Sequence, residues 1–264
     1  LSPGTHSEKH YAIATNDREV SEEMTQYLAK LGHKRIAFIT GHPDHRAVRN
    51  RFLGYKDGLR KNGLEFSEEL VVAGDNSYGS GEKCGARLLG LKNPPTAIFS
   101  ANDDMAAGVI GTANRLKIDV PGQLSVAGFD DTSLARHIYP TMTTIRQPLA
   151  TMAENAALAL IGRSRSDSPL MGTDIIPSTL QIRESTGPAA VGPGLDFGDF
   201  CGKGFGDQTP ARRANVRVDE PACRVPADFG IRPGLIVSRQ GQLAAAALRR
   251  AAQRPVNAYG MPLH

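Results

Sequence analysis

Short apolar runs alternate with stretches of helical periodicity along the first 187 residues. The runs are rich in β-branched and aromatic residues and are bounded by Gly, Pro, Asn or Asp, which is typical of strands. The stretches between them repeat their apolar residues every three or four positions, which indicates helices. The predicted strands are Tyr11–Thr15, Arg35–Thr40, Leu70–Ala73, Thr96–Ser100, Leu124–Phe129, Thr143–Arg146 and Ile175–Ile182, and the predicted helices are 17–31, Arg46–Lys61, Gly81–Leu91, Asp103–Leu116 and Leu149–Ile161.

The regular alternation of strand and helix predicts a doubly wound α/β fold built on parallel sheets. The run Arg35–Thr40 is almost entirely apolar, as in parallel strands that are buried on both faces. Such sheets bind ligands beyond the carboxyl ends of their strands, so residues that directly follow a strand are the first candidates for a functional site.

The pattern ends near Pro188. Ala, Gly, Pro and Arg supply 40 of the last 77 residues, and no alternation of strand and helix continues there. Such a composition buries little apolar surface. Residues 188–264 are therefore predicted to be a weakly ordered, low-complexity tail, of native or out-of-frame origin.

Charge argues against a nucleic-acid interface in the body of the chain. Residues 1–187 hold 21 Lys and Arg against 21 Asp and Glu, so the formal net charge of +4 lies wholly in the tail. A neutral body lacks the basic surface that phosphate backbones require. No apolar run reaches the roughly 18 residues of a membrane span. Three scattered cysteines indicate no disulfide framework, and a reducing cytoplasm is the expected location.

Seven short motifs point to a known family. They resemble, in the same order, segments of the effector-binding part of regulators of the lac-repressor/galactose-repressor family. The motifs are Leu31–Gly41 (LGHKRIAFITG), Arg51–Tyr55 (RFLGY), Pro95–Asp103 (PTAIFSAND), Val120–Pro121, Leu124–Asp131 (LSVAGFDD), Thr143–Pro148 (TTIRQP) and Ile182–Thr186 (IREST). The resemblance covers residues 11–187.

The resemblance implies a periplasmic-binding-protein-like fold of type I, in which an effector lies between two lobes. It assigns 1–41 and 147–163 to an incomplete N-terminal lobe, and 42–146 and 173–187 to the C-terminal lobe. The family's DNA-binding headpiece and the first strands of its N-terminal lobe would precede Leu1. We then expect Arg35–Thr40 to lack strand partners, which would expose an aggregation-prone edge.

Three predicted effector-binding residues directly follow strands or the loops after them. Arg51 offers a planar fork of donors for adjacent hydroxyls or a carboxylate, and in the family the matching Arg contacts the effector. The alternative is an Arg on the surface of an amphipathic helix. Asn102 and Asp130 also match ligand-contacting positions of the family. Asn102 alternatively serves as a helix N-cap, and neighbouring Asp131 is interpreted as a turn former.

Gln147 and Tyr78 complete the predicted site. Gln147 lies where the chain crosses between lobes, although a polar residue held extended by Pro148 is an equal alternative. The family carries an aromatic ring where this chain has Asn76, and Tyr78 is the nearest substitute. His42 and His45 could line the cleft, but solvated loop histidines are the preferred interpretation.

Helix Asp103–Leu116 is the predicted dimer contact. It presents Met105, Val109 and Thr112 at helical spacing, and Gly108 permits close approach. The resemblance implies a homodimer formed partly through this helix. The alternative is that the same face packs on the chain's own sheet.

No catalytic residue, metal site or cofactor is predicted. The segments Gly79–Gly81 and Gly198–Gly204 lack the spacing of nucleotide-binding loops, and the pairs Asp103/Asp104 and Asp130/Asp131 lack a third ligand. The function expected from the resemblance is the sensing of a small molecule, a sugar or a sugar derivative, by a transcription regulator. Operator DNA would be bound only through the missing headpiece. The alternative function is that of a solute-binding receptor for a transporter.

Overall fold

The computed structural model describes residues 11–42, 45–163 and 172–190, all within the compact unit Ser2–Ala227. The strands are β1 (Ala12–Thr15), β2 (Ile36–Thr40), β3 (Val71–Ala73), β4 (Ala97–Ser100), β5 (Ser125–Ala127), β6 (Thr144–Arg146), β7 (Thr173–Ile176) and β8 (Thr179–Gln181). The helices are α1 (Asp17–Lys30), α2 (Arg46–Lys61), α3 (Tyr78–Leu89), α4 (Asp103–Arg115), α5 (Ser133–His137) and α6 (Leu149–Arg163), with a 3-10 turn at Glu68–Leu70.

The largest sheet has four parallel strands in the order β3-β2-β4-β5. Strand β2 lies inside this sheet between β3 and β4, and all five of its residues are buried. Phe38 of β2 packs against Phe99 of β4 and Tyr55 of α2, whose hydroxyl donates to the Ile36 carbonyl. Because all five residues of β2 are buried, both faces of the strand are covered, as a parallel sheet requires, and the predicted fold class is confirmed.

Four helices cover the large sheet in two pairs, α1 with α2 and α3 with α4. Helices α3 and α4 approach closely because two glycines face the partner backbone. A Cβ atom at Gly81 would collide with the Met105 carbonyl oxygen, and one at Gly108 would collide with the Tyr78 carbonyl oxygen. Bulkier residues at these positions would force the two helices apart.

A second, smaller assembly consists of β1, β7 and α6. Strand β1 pairs in parallel with β7, and α6 packs against β1. Three short crossovers join this assembly to the rest of the chain: β1 to α1, β6 to α6 and β7 to β8. The Asn16 side chain accepts a hydrogen bond of 2.8 Å from Ser178 N, which ties the first crossover to the third.

The segment after β8 extends the large sheet along β5. Val126 N donates to the Ser185 carbonyl oxygen, and Gly187 N donates to Ser125 Oγ. The buried His33 ring lies at the same end of the sheet, with Nδ1 2.9 Å from Thr96 Oγ1 and Nε2 3.0 Å from both Ser125 Oγ and the Gly187 carbonyl. Burial lowers the pKa of His33, so the ring is neutral in this structure at neutral pH.

Strand pairing corrects two sequence-based expectations. The strand predicted at Arg35–Thr40 was expected in an incomplete lobe without partners, but β2 is paired on both sides in the large sheet. The single strand expected at Ile175–Ile182 is two strands, because Pro177 lacks the N–H that a continuous ladder needs. The division of the chain into two lobes otherwise remains a prediction.

The residues predicted to form a dimer contact are buried inside the chain. Met105, Val109 and Thr112 are inaccessible on α4, and Thr112 Oγ1 donates to the Glu82 carbonyl of α3. Gly108 lies against the backbone of α3. In this structure the face packs against α3, which favours the alternative of packing within the chain, and the dimer contact through these four residues stays a prediction.

Residues 188–190 of the predicted tail are among the described residues, and Ala189 N donates to the Leu31 carbonyl. The tail therefore begins later than residue 188. The expectation for 191–264 lies outside the described residues. None of the helices in the described part of the chain combines the length and apolar content of a bilayer-spanning segment.

Candidate functional site

The carboxyl ends of the strands bring polar side chains together at one edge of the large sheet. Arg51 lies in α2, which follows β2, while Asp130 follows β5 and Gln147 follows β6. Asp17, the first residue of α1, joins them. These four residues, called the Arg51 cluster, include three of the five predicted effector-binding residues.

Arg51 is the centre of this cluster. Its guanidinium carbon lies 3.5 Å from the centroid of the Phe129 ring, and Nη1 donates to the Ala101 carbonyl oxygen at 2.5 Å. Nη1 also lies 3.6 Å from Asp130 Oδ1, and Nε lies 3.6 Å from Asp17 Oδ1. These separations are too long for hydrogen bonds, and the buried Nε has no hydrogen-bond partner among the described residues. The guanidinium group of Arg51 therefore keeps N–H groups that can donate to a ligand.

Asp130 is also held by Gln147, whose Nε2 donates to the same oxygen, Oδ1, at 2.5 Å. Burial raises the pKa of Asp130, while Arg51 and the Gln147 hydrogen bond oppose that rise. Its φ of 120° lies in a region that only glycine adopts freely, at a cost of about 1–3 kcal/mol. Such a conformation persists only where neighbouring contacts hold it.

Asp17 is a member of the cluster that sequence reasoning missed. Asp is common at helix starts, where it caps the helix. Its carboxylate is buried, accepts from Thr15 Oγ1 at 3.1 Å and faces Arg51. Burial raises the pKa of Asp17, and Arg51 opposes that rise. No signal in the sequence separates this role from ordinary capping.

Asn102 has the capping role that the sequence offered as the alternative to effector binding. Its Oδ1 caps α4 by accepting from Met105 N at 3.0 Å, and its Nδ2 donates to the Asn76 carbonyl at 2.9 Å. Asn102 directly follows Ala101, the residue whose carbonyl holds Arg51. The side chain thus lies beside the cluster, and both of these hydrogen bonds hold backbone groups in place.

Tyr78 does not join the cluster. It starts α3, is 42% exposed, and places its hydroxyl beside Gly111 of α4. Nine helical positions, about 13 Å along α4, separate Gly111 from Asn102. Tyr78 therefore lies away from the Arg51 cluster in this structure, and its contact with an effector stays a prediction.

The two Asp pairs form hydrogen-bond networks. Asp103 accepts from Thr132 N at 2.7 Å and from Thr144 Oγ1 at 2.5 Å, and burial raises the pKa of this carboxyl to about 6. Asp131 is bound by three arginines. Within the described ranges, no group of three or more His, Cys, Asp or Glu side chains has the arrangement of a metal site.

Other surface features lie elsewhere. A depression of ≈ 420 Å³ is bordered by the end of α2 and by Leu64 and Phe66, and it includes no residue of the Arg51 cluster. His42 and His45 are exposed loop residues with ring centroids 5.8 Å apart. This depression therefore gives no support for a ligand site at the Arg51 cluster.

Comparisons with known proteins agree with the motifs. A family model described as a periplasmic binding protein-like domain matches residues 25–186. The chain is 37% identical over 174 residues to the HTH-type transcriptional regulator GalR of Escherichia coli strain K12, covering 66% of this chain and 50% of the relative. It is 34% identical over 164 residues to the HTH-type transcriptional repressor CytR of the same strain, covering 62% and 48%.

A solved structure shares the fold. The transcriptional regulator CelR in complex with cellobiose superposes with a TM-score of 0.63 at 31% identity, covering 67% of this chain and 54% of that chain. This chain thus spans about half the length of the curated relatives it matches. These relatives are transcriptional regulators.

Proposed function

Because this chain belongs to the lac-repressor/galactose-repressor family of transcriptional regulators, we propose that its described part is an effector-sensing domain. The proposed effector is a neutral sugar or a sugar derivative, bound at the Arg51 cluster. The observation that carries the proposal is that Arg51 lies 3.6 Å from each of its two carboxylates, beyond direct hydrogen-bonding distance.

A hydroxyl group fits the chemistry of these separations. A hydroxyl oxygen accepts from a guanidinium N–H while its proton is donated to a carboxylate, so one hydroxyl can bridge Arg51 and Asp130. A second hydroxyl can accept from Arg51 Nε, the buried donor without a hydrogen bond. Adjacent hydroxyls on a sugar ring match this planar fork of donors.

The charge of the cluster favours a neutral ligand. One guanidinium faces two carboxylates, Asp17 and Asp130, and the fourth member, Gln147, is neutral. The cluster therefore has no excess positive charge to compensate a phosphate or carboxylate on the ligand. The cellobiose complex of the CelR regulator also supports a neutral sugar as the ligand class.

The cluster is placed where binding can change the chain's conformation. Asp17 lies in the crossover from β1 to α1, and Gln147 lies in the crossover from β6 to α6. A ligand that contacts Arg51 and these residues together interacts differently with open and closed arrangements of the crossovers, which shifts their populations. We propose that this shift is transmitted to operator DNA through an HTH-type headpiece, in a cytoplasmic homodimer.

A transporter's solute-binding receptor is the alternative function, since such receptors share the fold. The regulator identity of the relatives supports sensing instead. The geometry of the cluster suits binding without chemistry, so no catalytic residue is proposed.

Binding can be tested by calorimetry on the full 264-residue chain with a panel of neutral mono- and disaccharides that includes cellobiose. For a panel sugar that binds, Asp130→Asn and Gln147→Leu should each weaken affinity. Loss of a hydrogen bond to a charged group costs about 1.5–3 kcal/mol, or about ten- to a hundredfold. Arg51→Ala is less suitable, because it leaves Asp17 buried without its counter-charge.

The matched control is Glu82→Gln, which removes an ion pair with Arg115 outside the cluster. This variant should bind the same sugar with unchanged affinity. Unchanged affinity in both cluster variants would contradict the site, and failure of every sugar in the panel to bind would contradict the ligand class.

A further inference from the structure

Two consecutive residues after β5 have left-handed backbone conformations. Asp130 has a φ of 120° and Asp131 a φ of 54°. Asp tolerates the second value better than most residues, but the first favours glycine strongly. The chain nevertheless carries a carboxylate at both positions, so the surrounding contacts must hold this turn.

The contacts that hold it converge on Asp131. Its side chain is fully buried, although sequence reasoning interpreted it only as a turn former. Arg146 Nε and Arg183 Nη2 each lie 2.6 Å from a carboxylate oxygen of Asp131, and Arg136 Nη2 lies 3.2 Å from one. Burial alone would raise the pKa of Asp131, but the hydrogen bonds from the three guanidinium groups outweigh it and lower the pKa.

The three arginines come from different elements. Arg136 belongs to α5, Arg146 ends β6 and Arg183 follows β8. One buried carboxylate therefore ties together three separate segments, whose arginines lie 5, 15 and 52 positions further along the chain. Ion pairs to three segments hold the backbone at Asp131 more tightly than the local contacts of a surface turn would.

The contacts of Asp131 and those of the Arg51 cluster meet at two pairs of neighbouring residues, Asp130–Asp131 and Arg146–Gln147. Asp130 binds Gln147 while Asp131 binds Arg146, and the Asp130 amide donates to the Ile145 carbonyl at 2.8 Å. The bonds of Asp131 consequently set the direction in which the adjacent Asp130 carboxylate points.

We propose that Asp131 is a positioning residue for effector binding, whose ion pairs to Arg136, Arg146 and Arg183 hold the turn that presents Asp130 to Arg51 and Gln147. This proposal rests on the function proposed above for the Arg51 cluster. Asp131 itself does not touch the ligand; it acts through Asp130.

The test measures the Gln147 side-chain amide by NMR in the full-length chain, which needs no ligand. In the native protein this amide donates to Asp130, so its protons should be shifted and protected from exchange. Asp131→Ala should speed their exchange by about tenfold or more, while Asp131→Asn, which tolerates the left-handed turn and keeps two polar atoms, should retain part of the protection.

The matched control is Asp57→Asn. Asp57 also pairs with two arginines, Arg18 and Arg60, but on α2 and away from Asp130. The Asp57→Asn variant should have a lower melting temperature and an unchanged Gln147 side-chain amide signal. If Asp131→Ala fails to fold, Arg136→Gln and Arg146→Gln each remove one of the three ion pairs and should cause smaller changes of the same kind.

An unchanged Gln147 signal in a folded Asp131→Ala variant, or in both arginine variants if that variant fails to fold, would overturn the proposal. Sugar affinity separates this failure from that of the proposed function. If Asp130→Asn leaves affinity unchanged, the cluster is not the binding site. If Asp130→Asn weakens binding but Asp131→Ala leaves both the Gln147 signal and affinity unchanged, only the positioning role is wrong.

Discussion

Asp103 opens α4 with a carboxylate that is buried and accepts from Thr132 and Thr144. Because burial raises the pKa of Asp103 to about 6 from 3.8, the folded chain holds this proton more tightly than the unfolded chain. The contribution of Asp103 to the free energy of unfolding is therefore fully present below about pH 4, and it is lost as the pH rises through 6. Asp103→Asn cannot titrate, so raising the pH from 4 to 7 should cost the native chain about 2–3 kcal/mol relative to this variant.

Urea unfolding of both chains across this pH range measures the difference. Asp104→Asn is the control, because Asp104 is an exposed neighbour in the same helical turn. This control should follow the pH dependence of the native chain. A native chain and an Asp103→Asn variant with parallel pH profiles would show that Asp103 keeps an ordinary pKa.

The residues of the Arg51 cluster differ in how far a sequence could reveal them. Arg51, Asp130 and Gln147 were predicted through the family resemblance, and the structure brings them together. Asp17 and Asp131 stand at a helix start and in a turn, where Asp is common for local reasons alone. Asp17 pairs with Arg51, and Asp131 pairs with Arg183, 52 positions away, so local sequence carries no sign of these ion pairs.

At the scale of elements, the contact between α3 and α4 depends on Gly108. A Cβ atom there would collide with the Tyr78 carbonyl oxygen, and backbone cannot move aside as a side chain can. Gly108→Ala should therefore destabilise the chain by about 2–3 kcal/mol through overpacking. Denaturant unfolding measures the change.

Gly79→Ala is the matched control in the same pair of helices. Nothing lies within 4 Å of a Cβ atom added at Gly79, an exposed residue near the start of α3. The better helix propensity of Ala should stabilise the chain by up to about 1 kcal/mol. Equal changes in the free energy of unfolding for the two substitutions would show that helix propensity, not close packing, determines the effect of replacing these glycines.

Periodicity predicted most elements of the fold but not all of their ends and partners. The bounds of α2 are those expected, whereas α3 starts three residues early because Ser77 caps it by accepting from Ser80 N. Periodicity is a local property, while pairing depends on segments that are distant in sequence. For this reason the sequence predicted strand β2 as a strand but misplaced it in the fold.

At the scale of the whole molecule, local stability should be uneven. Strand β2 is paired on both sides and wholly buried, whereas α6 has Met152 as its one fully buried side chain among residues 149–162. Regions with few buried contacts open without global unfolding. Amides in α6 should therefore exchange hydrogen faster than those of Ile36–Ile39, by about 100-fold or more.

Hydrogen exchange followed by NMR or mass spectrometry tests this directly. The amides of β4 serve as the internal reference, because β4 is also paired on both sides. They should exchange as slowly as those of β2. Fast exchange throughout β2 would contradict its place inside the sheet and restore the expectation of an open edge.

The bonds between β5 and the segment after β8 also set an order of events during synthesis. Ser185 Oγ donates to the Val126 carbonyl, and these residues are 59 positions apart. At about 5–20 residues per second, a ribosome needs about 3–12 s to pass from one to the other. During this interval a nascent chain holds β5 without its last partner. Pausing of translation before Ser185 would prolong the exposure of that edge, so the speed of the ribosome over this stretch bears on the yield of folded protein.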